Sequence, residues 1–253
     1  MNRIARLIVF LLGATGLAAL FILAFLRLPG PDDLRNRTAD RANALTVPAR
    51  HTTNAVSTVN FDYRAFDTIG EEFILFVSVM GVLVLFRETH AKPAREILRD
   101  SSTPGRDLAP SDAIRAWTLV MVAPKILFGL YIIAHGALTP GGGFQGGVIL
   151  ATAPLILFLA TDFRTFQKIA SFHLVEITEA FGAAAFVLIG VVGLFAQRAY
   201  LTNVLPMGTT SRLTSGGMIP LISVAVGLEV AAGFVLLLYV FLQESLTVEH
   251  GEA

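Results

Sequence analysis

The sequence predicts an all-α, polytopic integral membrane protein with about six transmembrane helices. Three observations carry that expectation. Hydrophobic residues make up 54% of the 253 positions and charged residues only 15%, against about 25% charged in a soluble domain. The mean hydropathy is +0.68. The apolar residues gather into runs near the roughly 20 residues that cross a bilayer as helix.

Composition also narrows the chemistry. Lys+Arg and Asp+Glu both number 19, so nothing points to nucleic acid. Cysteine is absent, which removes disulfides, thiolate metal sites and cysteine nucleophiles from this chain. The five histidines are scattered, and no phosphate-binding or zinc-binding signature occurs. No catalytic residue, cofactor or metal ligand is expected.

The first helix is expected over 6–28. Its apolar run, Leu7 to Leu26, is 20 residues, longer than the core of a cleaved signal peptide, so it reads as a retained span stopped by Pro29-Gly30-Pro31. Residues 29–66 read as a long polar loop. The second helix runs over 67–86, but its purely apolar part, Phe73–Phe86, is 14 residues. That reaches about 21 Å of a roughly 30 Å hydrocarbon core, which draws Glu71 and Glu72 to the membrane edge or inside it. A polar stretch punctuated by Pro93, Pro104 and Pro110 follows, and Ser111-Asp112 is placed to cap a third helix over 113–138. A fourth, short helix is expected over about 146–162, a fifth over 170–196 and a sixth over 216–242. The resulting domain division is a two-helix module (1–90), a polar linker (91–112), a four-helix domain (113–243) and a short polar tail (244–253).

With both termini inside, inner segments hold ten Lys+Arg and outer segments eight. Inner loops favour positive charge, so the expected location is the cytoplasmic membrane with cytoplasmic termini.

Between helices three and four lies Pro140, Gly141, Gly142, Gly143, Phe144, Gln145, Gly146 and Gly147. One Pro and five Gly in eight residues disfavour helix, because Pro removes a backbone donor and Gly costs about 1 kcal/mol against Ala. The segment reads either as a plain turn or as a functional break. In the second case its glycines would admit a neighbouring helix, and Gln145 would bond freed backbone groups.

Charges at membrane depth are the candidate functional residues: Glu71, Glu72, Lys125, His135, Glu176, Glu179 and Glu229. A charged residue at a helix centre costs about 2.5–3.5 kcal/mol on insertion scales and persists when it pairs, faces a bundle interior or moves protons. Glu176 and Glu179 share a helix face. Each also has a structural reading: Lys125 and Glu229 as a helix-pairing ion pair, His135 as a helix cap, and Glu71, Glu72 and Glu176 as interfacial carboxylates. Taken together they suggest a proton or cation path. Thr152, Thr178 and Ser223 offer further oxygen atoms.

Three stretches resemble a known family. Pro140–Gly147 is similar to the signature of the B-type component of Mrp-type multisubunit Na⁺/H⁺ antiporters. Leu174-Val-Glu-Ile-Thr-Glu-Ala-Phe-Gly182 and Gly216-Gly-Met-Ile-Pro-Leu-Ile-Ser-Val-Ala-Val-Gly-Leu-Glu229 agree with its later helices. The segment Asp62-Tyr-Arg-Ala-Phe-Asp-Thr-Ile-Gly-Glu71 resembles the C-terminal helices of the large A-type component and the small E-type component of membrane-bound hydrogenases, from which Tyr63 and Ala65 depart. The resemblance implies a partner-dependent subunit in the bilayer, assembled with large A- and D-type and small membrane subunits. Its expected role is Na⁺/H⁺ exchange, with the carboxylates of helices two, five and six as the residues to bet on. It equally allows a membrane-arm subunit of a redox-driven, complex I-like enzyme. A purely structural scaffold is the third reading.

Overall fold

The computed structural model describes residues 3–27, 37–86, 111–161 and 163–251, and these are almost wholly helical. The chain divides into two compact units, Met1–Arg41 and Ala42–Ala253. The first contains α1 (Arg3–Leu26), one unbroken helix with an apolar stretch over Phe10–Leu26. α2 (Arg37–Arg50) follows.

The second unit holds five helices long and apolar enough to cross a membrane. These are α4 (Ala65–Leu85), α5 (Asp112–Ala134), α6 (Gly143–Ala160), α8 (Phe172–Phe195) and α9 (Ile219–Gly251). The six expected spans therefore appear as five of full length and apolarity plus α1, whose qualifying stretch is shorter. α9 is the most buried of them and packs against α4, α6 and α8, while α5 lies mainly on α6. Val226, Val230 and Leu236 of α9 are wholly buried. Ser111 caps α5 as the sequence suggests, its hydroxyl accepting from Ile114 N at 3.3 Å.

Several boundaries differ from expectation. Residues 29–66 are not simply loop. They contain α2, a short helix α3 (Ala55–Thr58) and a π-helical turn over Val59–Tyr63. The polarity of α2 hid it, and Pro48 is accommodated in its last turn. α6 starts at Gly143 rather than near Gly146. At 18 residues it spans about 27 Å, so it is not short. α9 continues past the apolar run to Gly251, since a helix needs no apolarity once it has left the membrane. Between α6 and α8, where a brief loop was expected, stands α7 (Phe163–Ile169), whose own Phe166 is fully buried. The expected linker lies almost entirely outside the described residues.

Polar segments gather at one end of the second unit. Arg50 pairs with Asp62 at 2.9 Å, and Asn203 donates to Asp62 at 2.8 Å. The imidazole of His51 meets the Gly208 carbonyl at 2.5 Å. These contacts tie the approach to α4 to the α8–α9 connection.

Candidate functional site

The glycine-rich break is held by this polar end. Gly141 and Gly142 have φ of +136° and +147°, a region that side chains rarely adopt. The carbonyls around the turn are met by Asn54, whose amide donates to Gly136 O at 2.7 Å and Thr139 O at 2.8 Å. Ser57 adds a bond to Gly136 O at 2.6 Å. Asn54 also caps α3, accepting from Val56 N and Ser57 N. One buried amide therefore serves two turns. This corrects the role expected of Gln145, which is exposed: the freed backbone groups are satisfied by residues about 80 positions away in sequence. No sequence period announces that pairing, although Asn before a short apolar stretch is a known N-cap signal.

Beyond the turn, glycine serves close approach. A Cβ on Gly143 would collide with the Ser223 carbonyl and lie 2.8 Å from Val226 Cβ, and one on Gly146 would lie 2.7 Å from the Gly129 carbonyl. The first turn of α6 thus nests between α5 and α9.

The carboxylates separate into two classes. Glu72 is 4% exposed, and Glu179 and Glu229 are each 1% exposed. They come from α4, α8 and α9, three helices that pack against one another. Glu229 lies within electrostatic reach of both Glu72 and Glu179, Glu72 within reach of Glu71, and Glu179 within reach of Glu176. Counted at 1.5 Å per residue from the end that holds the glycine turn, Glu72 sits about 10 Å along its helix, Glu229 about 15 Å and Glu179 about 24 Å. Close packing fixes the order. Gly182 of α8 abuts the backbone of Glu229, and Gly233 of α9 abuts the Glu179 carboxyl. The three acids form a staircase rather than a cage, and among the described residues no three His, Asp or Glu side chains converge to hold a metal ion.

Their oxygens are unusual. Glu72 Oε2, Glu179 Oε1 and both carboxyl oxygens of Glu229 are buried without a hydrogen-bond partner among the described residues. Buried polar atoms are nearly always bonded, and leaving one unbonded costs free energy. Three such groups in one row are not explained by helix pairing, which would join them to partners.

The remaining predicted residues stand apart. Glu71 is exposed. Glu176 is half-exposed, 3.7 Å from the His173 imidazole. His135 ends α5, its ring stacked on Tyr131 at 3.9 Å and its Nδ1 3.0 Å from the Tyr131 carbonyl, so its surroundings are those of a cap. Lys125 donates to Thr152 at 3.3 Å and forms no ion pair with Glu229 or any other acid among the described residues. The hydroxyls of Thr152, Thr178 and Ser223 bond backbone carbonyls.

Residues 113–236 match the family model of a domain related to the MnhB subunit of Na⁺/H⁺ antiporter. An uncharacterized protein of Methanocaldococcus jannaschii is 30% identical over 198 residues, covering 71% of this chain and 73% of that protein. The chain belongs to the MnhB-related family. The B-type Na⁺/H⁺ antiporter component of Alkalihalophilus pseudofirmus is 34% identical over 37% of this MnhB-related chain and 65% of its own length. Its counterpart in Bacillus subtilis is 32% identical over 31% and 54%. The chain thus spans between half and two thirds of these antiporter proteins. Among solved structures, a chain of the membrane-bound sulfane sulfur reductase, an archaeal respiratory membrane complex, matches with a TM-score of 0.68 and 26% identity. The match covers 94% of this chain and 98% of that one. A chain of the Mrp complex from Dietzia shares the fold, with a TM-score of 0.66 at 21% identity, over 95% of this chain and 26% of that one.

Proposed function

We propose that this MnhB-related chain is a membrane subunit of a multisubunit monovalent cation/proton antiporter, in which Glu72, Glu229 and Glu179 pass protons between neighbouring carboxyls. The observation that carries the reading is the staircase of three buried acids, unbonded among the described residues, on three mutually packed helices. Burial of a carboxyl favours its neutral form and a charged neighbour changes that balance, so a row of such groups exchanges protons when water or a rotated side chain bridges them. Glu71 and Glu176, one at each end of the row and both solvent- or partner-facing, are the entry and exit groups. The B-type antiporter components among the relatives support the assignment to antiport.

A second reading couples the same row to electron transfer on other subunits. It is supported by the end-to-end match with a chain of a respiratory complex. Affinity purification through this chain from its native membranes separates the two. The antiporter reading expects large antiporter-like subunits without iron–sulfur proteins, and proteoliposomes in which a Na⁺ gradient drives proton movement. Co-purifying iron–sulfur subunits, and no Na⁺-driven proton flux, would replace it with the redox reading.

We place the termini in the cytoplasm and the polar end with residues 197–218 outside, supported by the ten-to-eight charge bias. The absence of cysteine makes the test clean. Thr209, exposed on that end, is expected to react as Thr209→Cys with a membrane-impermeant maleimide in intact cells. Labelling only after the cells are opened reverses the orientation.

A further inference from the structure

Lys125 lies midway along the apolar helix α5 and pairs with no acid among the described residues. It is about 20 Å along α5 from Asp112 and about 14 Å from Ala134, too deep for its stem to lift the ammonium to either surface. Its one bond is to the neutral hydroxyl of Thr152, itself halfway along α6. The side chain is half-buried at the edge where α5 meets α6, and Phe128, one turn on, is exposed.

Among the described residues no acid is placed to neutralise it. Among the described residues, Asp67, Glu71 and Glu72 belong to α4, Asp112 to the start of α5, Glu176 and Glu179 to α8, and Glu229 to α9, and none pairs with Lys125. α1 contains no Asp or Glu at all, so it supplies none wherever it sits. Glu244 closes the span of α9, and the other carboxylates lie outside the spans in sequence. A second unmet group accompanies the charge. Pro124 has no N–H, so the Val120 carbonyl lacks its helical donor, and both residues are exposed. Exposed to lipid, a mid-membrane ammonium is costly, and such residues pair or face protein.

We infer that the α5 flank at Lys125 is an interface for a transmembrane helix of another subunit that carries an Asp or Glu at mid-bilayer depth. That carboxylate meets the ammonium at the α5–α6 edge. The exposed apolar residue one turn on, Phe128 (53% exposed), then packs against the partner helix. The inference concerns α5 and α6 and does not depend on the acid row of α4, α8 and α9.

The test is photo-crosslinking in native membranes, with a benzoylphenylalanine in place of Phe128 of the assembled complex. The expected adduct is a peptide from a transmembrane segment of a different subunit containing Asp or Glu. At equal amounts of chain in the membrane, Lys125→Met lowers its yield about tenfold and Lys125→Arg largely preserves it, as for loss of a charge-assisted bond. An adduct with lipid alone, with a second copy of this chain, or with an acid-free segment overturns the inference. So does an unchanged yield in Lys125→Met.

Discussion

Glu229→Gln is expected to stop transport while leaving the protein folded and assembled. Glu229 is the middle step of the staircase and, among the described residues, the acid within electrostatic reach of both others. Gln occupies nearly the same volume and cannot exchange a proton at neutral pH, so packing at the Gly182 contact is kept while the relay is cut. Both carboxyl oxygens of Glu229 lack partners among the described residues, so the neutral amide breaks no bond, and stability is expected to hold or rise. Proton flux in proteoliposomes should fall by roughly a hundredfold, the scale on which a positioned proton-transfer group acts. Co-purification of partner subunits should be unchanged. The exposed Glu71 serves as comparison. Glu71→Gln removes an entry group that water or lipid headgroups partly replace, so a smaller loss is expected. Equal, near-native flux from both variants would mean that the acids serve packing only.

The largest structural effect is expected from Gly143→Ala. The added methyl meets the backbone carbonyl of Ser223 and the Cβ of Val226, neither of which can rotate away. α6 must then separate from α9 and drag the positive-φ turn at Gly141 and Gly142 with it. Overpacking a filled interior costs about 1–3 kcal/mol, and here it acts on the contact that holds the turn in place. Thermal unfolding in detergent should occur several degrees lower, with loss of partner subunits on purification. Gly70→Ala is the control. Nothing lies within 4 Å of a Cβ at Gly70, and Ala gains up to about 1 kcal/mol over Gly in a helix, so this variant should match or exceed the wild type. If the two alanine variants behave alike, close approach is not what the signature glycines provide.

The spans were legible because bilayer insertion demands long apolar runs, and α4, α5, α8 and α9 carry them openly. The identity of the acids was legible too, since an ionisable residue inside such a run stands out. Their ranking was not. Glu176 and Glu179 are three residues apart, a difference of only about 60° around the helix, yet the first is half-exposed and the second fully buried. Which of them is buried depends on where α9 docks, and sequence period alone does not say. Lys125 and Glu229 looked like an ion pair by depth, but depth is one coordinate of three, and Lys125 turns to Thr152 instead. Asn54 was missed because it lies in a stretch with the composition of a loop. Its importance arises from two turns that only the tertiary fold brings together. The glycine signature was read as a helix break. Its first two glycines do break the helix, whereas Gly143, Gly146 and Gly147 are helical and conspicuous only because neighbours leave no room for a side chain.

Whether the acids form one row is settled most directly by a double-substitution cycle on Glu72 and Glu179, reading proton flux in proteoliposomes of the purified complex. The two lie at opposite ends of the staircase, on either side of Glu229. Groups acting independently give multiplying losses, whereas groups in series do not. If protons pass from Glu72 through Glu229 to Glu179, then Glu72→Gln with Glu179→Gln transports within about twofold of the worse single variant, far above the product of the two losses. If the two losses multiply, or if the double variant transports like the wild type, the carboxyls do not form a single path.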